Sequence, residues 1–408
     1  MIFLNSYDNL FVEAAEEYKR LPFEAKELYK RYNFKLEIPA CEESLEKDAL
    51  EMAAEIEKKT GIKFDAVITG SGVTSSGKFI TIKKAEKKRK EREHDTVEGK
   101  IANFIMEGAD SNICVEINEG ENANIKMLFI ADKNLPVKIV INVGKRSKVE
   151  IFEWFASLPE REVMMAPFQI IVAGESSDVE INMLHNCGEK AITGSLSRTI
   201  VEKRGKARIN IVYNGSSLTK ATNSAYASGE ESDLLVNELV FGSSSQRFDI
   251  NTFIANNNEK TRAILESGAL LKDSSFCILK GYAKVGEGAR GSHSNVEERG
   301  MLLDPMARVE PLPDMSIDYG NEVTATHSAS TAPIDPEVLF YLNSRGLDEK
   351  KAKRIFLTGF VMKYINKIID RNSKSAVAAA IIEKADRNSF GGIFDVRGEE
   401  LVALGIGD

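Results

Sequence analysis

The chain has 408 residues, more than one minimal domain needs, so two or three domains or a stretched repeat architecture is expected. Its 54 lysines and arginines against 62 aspartates and glutamates give a net charge of −8, which argues against nucleic acid as the main partner. With 43% hydrophobic residues the chain can bury a core; with only 4 cysteines it is no disulfide scaffold, and it carries no zinc-finger or ferredoxin-type run of close thiols.

The N-terminus, MIFLNSYDNLFVEAAEEYKRL, turns acidic early and lacks a basic segment followed by an apolar one, so no signal peptide is expected. No run approaches the roughly 18 apolar residues of a membrane helix. Sparse thiols fit a reducing cytoplasm.

Residues 8 to about 60 have a helical period, with Phe11, Ala14, Ala15 and Tyr18 on one face and Leu50, Ala53, Ile56 and Glu57 on another. Phe64–Thr69 reads as a short strand leading into Gly70–Lys78. Gly72 to Lys78 has the spacing of a phosphate-binding loop. Phe79 stands where the Mg²⁺-binding hydroxyl belongs, however, and a strand, not a helix, follows. A glycine-rich turn between two strands is the better reading. Residues 83–92, KKAEKKRKER, read as a solvated linker or helix face.

From about 97 to 320 short alternating runs predict strands, among them Val137–Val143, Val149–Phe152 and Phe168–Val172. A unit recurs at Gly120, Gly144, Gly174, Gly205 and Gly229, with a weaker copy at Asn258, at spacings of 24, 30, 31, 24 and 29 residues. Each unit is a polar turn, a small residue and an apolar alternation. That suits one coil of a β-solenoid in which the glycine takes the turn and the apolar residues stack inward. A β-sandwich of hairpins is the competing architecture.

After Asp335-Pro336 the pattern turns helical, with Asp335 as cap, Pro336 in the first turn and Gly346 at the end. Asp348 caps a second helix. A last helix covers about 376 to 385, and the tail SFGGIFDVRGEELVALGIGD has apolar positions of its own.

Cys41, Cys114, Cys187 and Cys277 are 73, 73 and 90 residues apart, so any metal site built from them is assembled by the fold or between chains. Singly, each suits a small core residue. His185 and Cys187 share a face if their segment is a strand. His327 lies in the small-residue stretch Val-Thr-Ala-Thr-His-Ser-Ala-Ser-Thr. No Gly-x-Ser-x-Gly nucleophile motif occurs.

The segment 316–360 resembles the C-terminal signature of the SufB/SufD family of iron–sulfur assembly scaffolds. The matching residues are His327-Ser-Ala-Ser, Leu339-Phe-Tyr-Leu-Asn-Ser-Arg-Gly346 and Gly359-Phe360, preceded by the family-like stretch Arg299 to Met315. The resemblance implies a mainly β fold, a right-handed parallel β-helix flanked by N-terminal and C-terminal α-helical domains. Their bounds are expected at 1–95, 96–330 and 331–408. It implies docking of the last helices on a SufC-like ABC ATPase and pairing with a like or related scaffold subunit. Departures are visible too. Val201 stands near the place of a sulfur-accepting cysteine of the SufB branch, Ala307 near a second SufB cysteine, and Ser328 where a glutamate follows the histidine. Only His327 of that constellation remains, which is closer to the SufD pattern.

The expected function is a non-enzymatic scaffold subunit for a transient iron–sulfur cluster. It takes sulfur from a donor and contacts neither nucleic acid nor membrane. His327 is the first ligand candidate, with Cys277, Cys187 and, as an oxygen ligand, Glu310 behind it. Phe340, Tyr341 and Arg345 are the candidate ATPase-docking residues, ordinary helix packing being the alternative. A metal-free solenoid adaptor for the ATPase is the second reading. A carbohydrate-active β-helix enzyme is the third and wants a carboxylate cluster and secretion.

Overall fold

The structure, a computed structural model, describes residues 7–387 except 19–20, 26–33, 35, 86–96, 319 and 321. Among the described residues three helices come first: α1 (Tyr7–Tyr18), α2 (Pro22–Ala25) and α3 (Glu46–Thr60). Strands β1 (Ala66–Thr69), β2 (Val73–Ser75) and β3 (Ile80–Lys84) precede α4 (Val97–Gly108). Fourteen long strands follow. They are β4 (Ser111–Ile117), β5 (Asn122–Ala131), β6 (Leu135–Val143), β7 (Lys148–Ser157), β8 (Met164–Ala173), β9 (Asp178–Asn186) and β10 (Ile192–Val201). After them come β11 (Lys206–Tyr213), β12 (Leu218–Ala227), β13 (Asp233–Gly242), β14 (Arg247–Asn256), β15 (Arg262–Leu271), β16 (Phe276–Val285) and β17 (His293–Leu302). The short β18 (Arg308–Pro311) and β19 (Asp314–Ile317) lead to β20 (Thr324–Pro333). Helices α5 (Pro336–Ser344), α6 (Glu349–Ile365) and α7 (Arg371–Arg387) end the described chain.

Successive strands alternate between two ten-stranded sheets, one ordered β2-β1-β5-β7-β9-β11-β13-β15-β17-β20, the other β18-β16-β14-β12-β10-β8-β6-β4-β3 with β19 also on β16. All pairings are parallel except β1–β2 and β3–β4. This is a parallel β-solenoid of about eight turns, as the repeats suggest, and not a sandwich of hairpins. The in-register column Val149, Val179, Ala207, Leu234, Ala263, Ser294 shows that a coil takes 27 to 31 residues. The sheets begin at residue 66, within the segment that the sequence assigns to the N-terminal helical unit.

The recurring glycines all lie at the corner where the second sheet returns to the first; Gly120 takes the turn as expected, with φ 74°, but in the later coils the role of the glycine differs. The left-handed backbone falls on other residues: Arg146, Ser176, Arg204, Glu231 and Lys260, with φ from 53° to 59°. There each amide donates to the next coil's carbonyl, as Arg146 N does to Glu175 O (3.0 Å) and Ser176 N to Lys203 O (2.9 Å). The glycines of those later coils are required by close approach. A Cβ on Gly174 would stand 2.5 Å from Val143 O, and one on Gly144 2.6 Å from Glu119 N.

Inward side chains of both sheets form one long core, from Ile113 and Ile125 to Leu279 and Val296. Within it Phe129, Phe155, His185 and Tyr213 stack ring on ring at 4.7, 4.7 and 5.1 Å. The outer face of the first sheet is covered by α3, α6 and α7, whose Ala53, Ile56, Val361, Tyr364 and Ile381 pack on Trp154, Leu184, Val212 and Leu239. The outer face of the second sheet carries α1, α2 and α4 through Phe11, Tyr18, Phe23, Ile101 and Ile105 against Phe168 and Leu196. Beneath α4, Glu98, Lys220, Asp249 and Lys280 form a buried ion network, with Lys220 3.0 Å from Glu98 and 2.8 Å from Asp249.

The helical reading of residues 8–60 holds for three pieces and fails for 36–45, which form no helix, while 19–20, 26–33 and 35 lie outside the described residues. Pro39 cannot continue a helix. The backbone there is held by the solenoid instead, with Asn134 N on Cys41 O (3.0 Å) and Leu45 N on the Asp132 carboxylate (2.9 Å). Residues 86–92 of the basic run and the tail from 388 lie outside the described residues.

Candidate functional site

β20 is the last strand of its sheet and pairs with β17 only, among the described residues. Its register puts His327 opposite Val296. His327 therefore continues the inward column Ile151, Ile181, Ile209, Val236, Leu265, Val296. The earlier members of that column are buried, and His327 is exposed. Every residue of β20 except the half-buried Ala325 is exposed. The solenoid thus ends on an open strand edge, with an imidazole where the core residue of a further coil would sit.

The other sequence candidates are elsewhere. Cys277, on β16, is fully buried and points into the core between Phe248 and Val309. Burial pushes its thiol well above the ordinary value, and the carboxylates of Asp249, Glu298 and Glu238 push the same way. Cys187 follows β9, five strand positions from β20, about 24 Å at ~4.8 Å per strand. Its thiol is buried, 3.8 Å from Phe155 O, and burial raises it to about 12. Its neighbour His185 does share its inward face, but as a ring in the aromatic stack, with neither nitrogen hydrogen-bonded. Glu310 lies on β18 next to the inward Val309 and so faces outward, where Arg308 Nε holds it at 2.5 Å. Val201 and Ala307 are core residues, and Ser328 is exposed beside His327. Among the described residues no group of three or more histidines, cysteines and carboxylates converges on a metal-sized point.

α5 leaves β20 directly. Asp335 caps it by accepting from Glu337 N (2.8 Å), as its sequence predicts. None of its residues is buried; Phe340 is 75% and Tyr341 56% exposed, so neither is spent on core packing. The Arg345 guanidinium lies 5.3 Å from the Tyr341 ring centre. α6 and the turn after it are tied back to the strands by Lys363–Glu297 (2.7 Å) and Lys367–Glu266 (3.0 Å). Glu297 is one residue from the register partner of His327.

The Gly72–Lys78 loop forms a turn-and-strand connection, in which Lys78 pairs with Glu121 (3.0 Å). The sequence reading missed three carboxyls in the core. Burial raises Glu153 to about 8 although Gln169 donates to both its oxygens (2.8 and 2.7 Å). Glu238 and Glu298 are raised for the same reason. The signal was present in runs such as Ile151-Phe-Glu-Trp-Phe155, where the alternation turns a glutamate inward.

Fold and site together define a solenoid scaffold: a long buried core, an open strand edge bearing one imidazole, and an exposed aromatic helix beside it. A family model for the SUF system FeS cluster assembly SufBD core domain matches residues 129–360, more than half of the chain. The chain belongs to this SufBD family of iron–sulfur cluster assembly proteins. It is similar to the iron–sulfur cluster assembly protein SufD of Bacillus subtilis, 26% identical over 255 residues, 60% of this chain and 56% of that one. A SufBD family protein of Pyrococcus horikoshii is 27% identical over 224 residues, 55% of this chain and 50% of that one. The SufD of Escherichia coli is 24% identical over 167 residues, 41% and 39% of the two chains. The chain spans about half the length of the first two of these relatives. Among the described residues no helix is long and apolar enough to cross a membrane.

Proposed function

We propose that the chain is a cytoplasmic, non-enzymatic scaffold subunit on which an iron–sulfur cluster is assembled as transient cargo, served by a sulfur donor and a SufC-like ABC ATPase. The observation that carries this reading is His327, exposed at the open end of a core column. A second scaffold subunit, like or related, adds its strand to the free edge of β20 and covers the mouth of the core. Two chains then supply ligands that neither gathers alone. Imidazole is a workable iron ligand. Cys277 and Cys187 join it only if the coils open, since both thiols are buried and protonated, and Glu310 only when Arg308 releases it.

Phe340, Tyr341 and Arg345 form the ATPase-docking surface. A shift of α5 and α6 driven by ATP binding passes through Lys363–Glu297 into β17, next to His327. The test is co-expression with the ATPase followed by anaerobic reconstitution with iron and sulfide. Sulfide-to-iron charge-transfer absorption is expected, and His327→Ala abolishes it. A colourless wild-type complex overturns the scaffold reading. If that complex still holds the ATPase, the metal-free adaptor stands in its place.

A further inference from the structure

The ion network beneath α4 joins two distant parts of the molecule. α4 lies across the outer face of the second sheet, with Gly108 against Pro136 of β6, Ile101 over Gly194 of β10 and Glu98 on Lys220 of β12. From there the charges run along the sheet, from Lys220 to Asp249 of β14 (2.8 Å) and from Asp249 to Lys280 of β16 (3.0 Å). All four side chains are at most 3% exposed. Thr222 and Asn251 also donate to the Glu98 carboxylate, at 3.2 and 2.9 Å. Two ammoniums face two carboxylates, so the set is balanced only while Glu98 is seated.

Both ends of the network lie at weak points. Gly99 stands in the first turn of α4, where it lowers the intrinsic stability of the helix. On its far side β16 is flanked by two short strands, β18 on Phe276–Leu279 and β19 on Tyr282–Val285. Lys280 and Gly281 fall in the gap between them, where the chain passes through Leu312 and Pro313 and proline has no N–H to offer. β18 and β19 end the second sheet at the same end of the solenoid as β20.

We infer that the network is a latch, which couples the seating of α4 to the order of the last strands at the open end. A complete buried ion set adds little net stability, but removing one partner leaves an uncompensated charge in the interior. With Glu98 withdrawn, Asp249 holds two ammoniums at once. Relief comes from letting water reach Lys280, the member that lies at the gap between β18 and β19. Lifting the first turn of α4 therefore loosens the strands around Lys280, and the change passes through direct ion contacts. Charge balance makes the device specific: loss of the Glu98 charge loosens the end, and removal of one ammonium tightens it again. The latch concerns the end as a piece of structure, so it holds whether or not a cluster is built there.

Cys277 lies on β16 with Lys280 and is buried, so its thiol reports opening there. Cys187, buried at the corner after β9 and outside the network, is the internal control. The test treats the full-length protein with an alkylating reagent and reads the labelling rate of each cysteine by mass spectrometry, with amide exchange of α4 in parallel. Glu98→Gln should speed labelling of Cys277 and exchange in the first turn of α4 about tenfold or more. Cys187 should stay within about twofold of its wild-type rate. Glu98→Gln with Lys220→Met restores the balance of charge and should return Cys277 close to the wild-type rate. Glu98→Asp keeps the charge but draws it back by one methylene. It should give a smaller rise in the same direction, and it carries the test should Glu98→Gln fail to fold. Three results overturn the latch. One is Cys277 labelled no faster in the Glu98 variants. Another is Cys187 accelerated as much as Cys277, which makes the effect a general loss of stability. The third is the double variant labelled as fast as the single one.

Discussion

At position 185 a histidine ring lies between Phe155 and Tyr213, and burial holds it neutral by pushing its pKa down from 6.5 to about 3. The unfolded chain takes up the proton near pH 6.5 and the folded chain does not. Stability from this residue is therefore complete above about 6.5 and is lost as the pH falls towards about 3. His185→Phe keeps the stack and removes the proton uptake. The variant should match the wild type near pH 8 and exceed it by roughly 3 kcal/mol near pH 4, read from denaturant midpoints. Glu153 has the opposite sign. Its carboxyl is raised to about 8, so the folded state holds a proton that the unfolded state has released, and stability declines from about pH 4.5 to 8. Glu153→Gln should leave stability near pH 4 unchanged and raise it at pH 9. The sequence placed His185 and Cys187 on one face correctly, because strand alternation alone decides that. It could not show that the face is the dry one, since Leu-His-Asn-Cys gives no apolar majority to either side. Hence the thiols that looked like ligands are buried as thiols, while His327, in a stretch of small residues, is an imidazole left open to solvent.

The coils were legible as elements because each returns to the same corner with the same polar turn. The structural reason for the glycines was not. Beyond Gly120, left-handed φ values at these corners fall on Arg146, Ser176, Arg204, Glu231 and Lys260, residues with no marked preference for that conformation, so the turn leaves little trace in composition. Gly174→Ala should cost about 2 kcal/mol or more, because the new methyl meets the Val143 carbonyl of the coil before it. Gly286→Ala, whose nearest neighbour is 3.3 Å away, should cost clearly less in the same unfolding assay. The segment 36–45 was misread as helix because its fold comes from tertiary hydrogen bonds to Asp132 and Asn134, which no local period encodes. α5 was legible in its N-terminal cap, Asp335, but the exposure of Phe340 and Tyr341 was not, because the apolar spacing sets Tyr341 with Val338, Leu339 and Leu342. Phe340→Ala with Tyr341→Ala should change stability by less than about 0.5 kcal/mol. The same pair of changes should abolish capture of the ATPase in a pull-down, since exposed aromatics at an interface centre carry much of its energy.

For the molecule as a whole, each coil touches only its neighbours, so stability is close to a sum of single-coil and coil–coil terms. The middle coils have two neighbours and are further clamped by α4 on one face and α6 and α7 on the other. The β20 end has one neighbour and no lid among the described residues. Size-exclusion chromatography with light scattering should show association of the wild-type chain, or of its mixture with a related subunit. Ala329→Lys, which puts an ammonium at the mouth of the core, should return it to monomer.

The open end also sets a gradient of local melting along the axis. Amide exchange should be slowest in β9 to β13 and quicken strand by strand towards β20, the way a zipper opens from its free end. Pairing at β20 would halt that fraying. It would be read as slowed exchange in β15 and β17, strands the second subunit never touches. Occupancy of the last strand would in this way tighten the whole column behind it, and the stiffness of the rod would become a record of whether its end is bound.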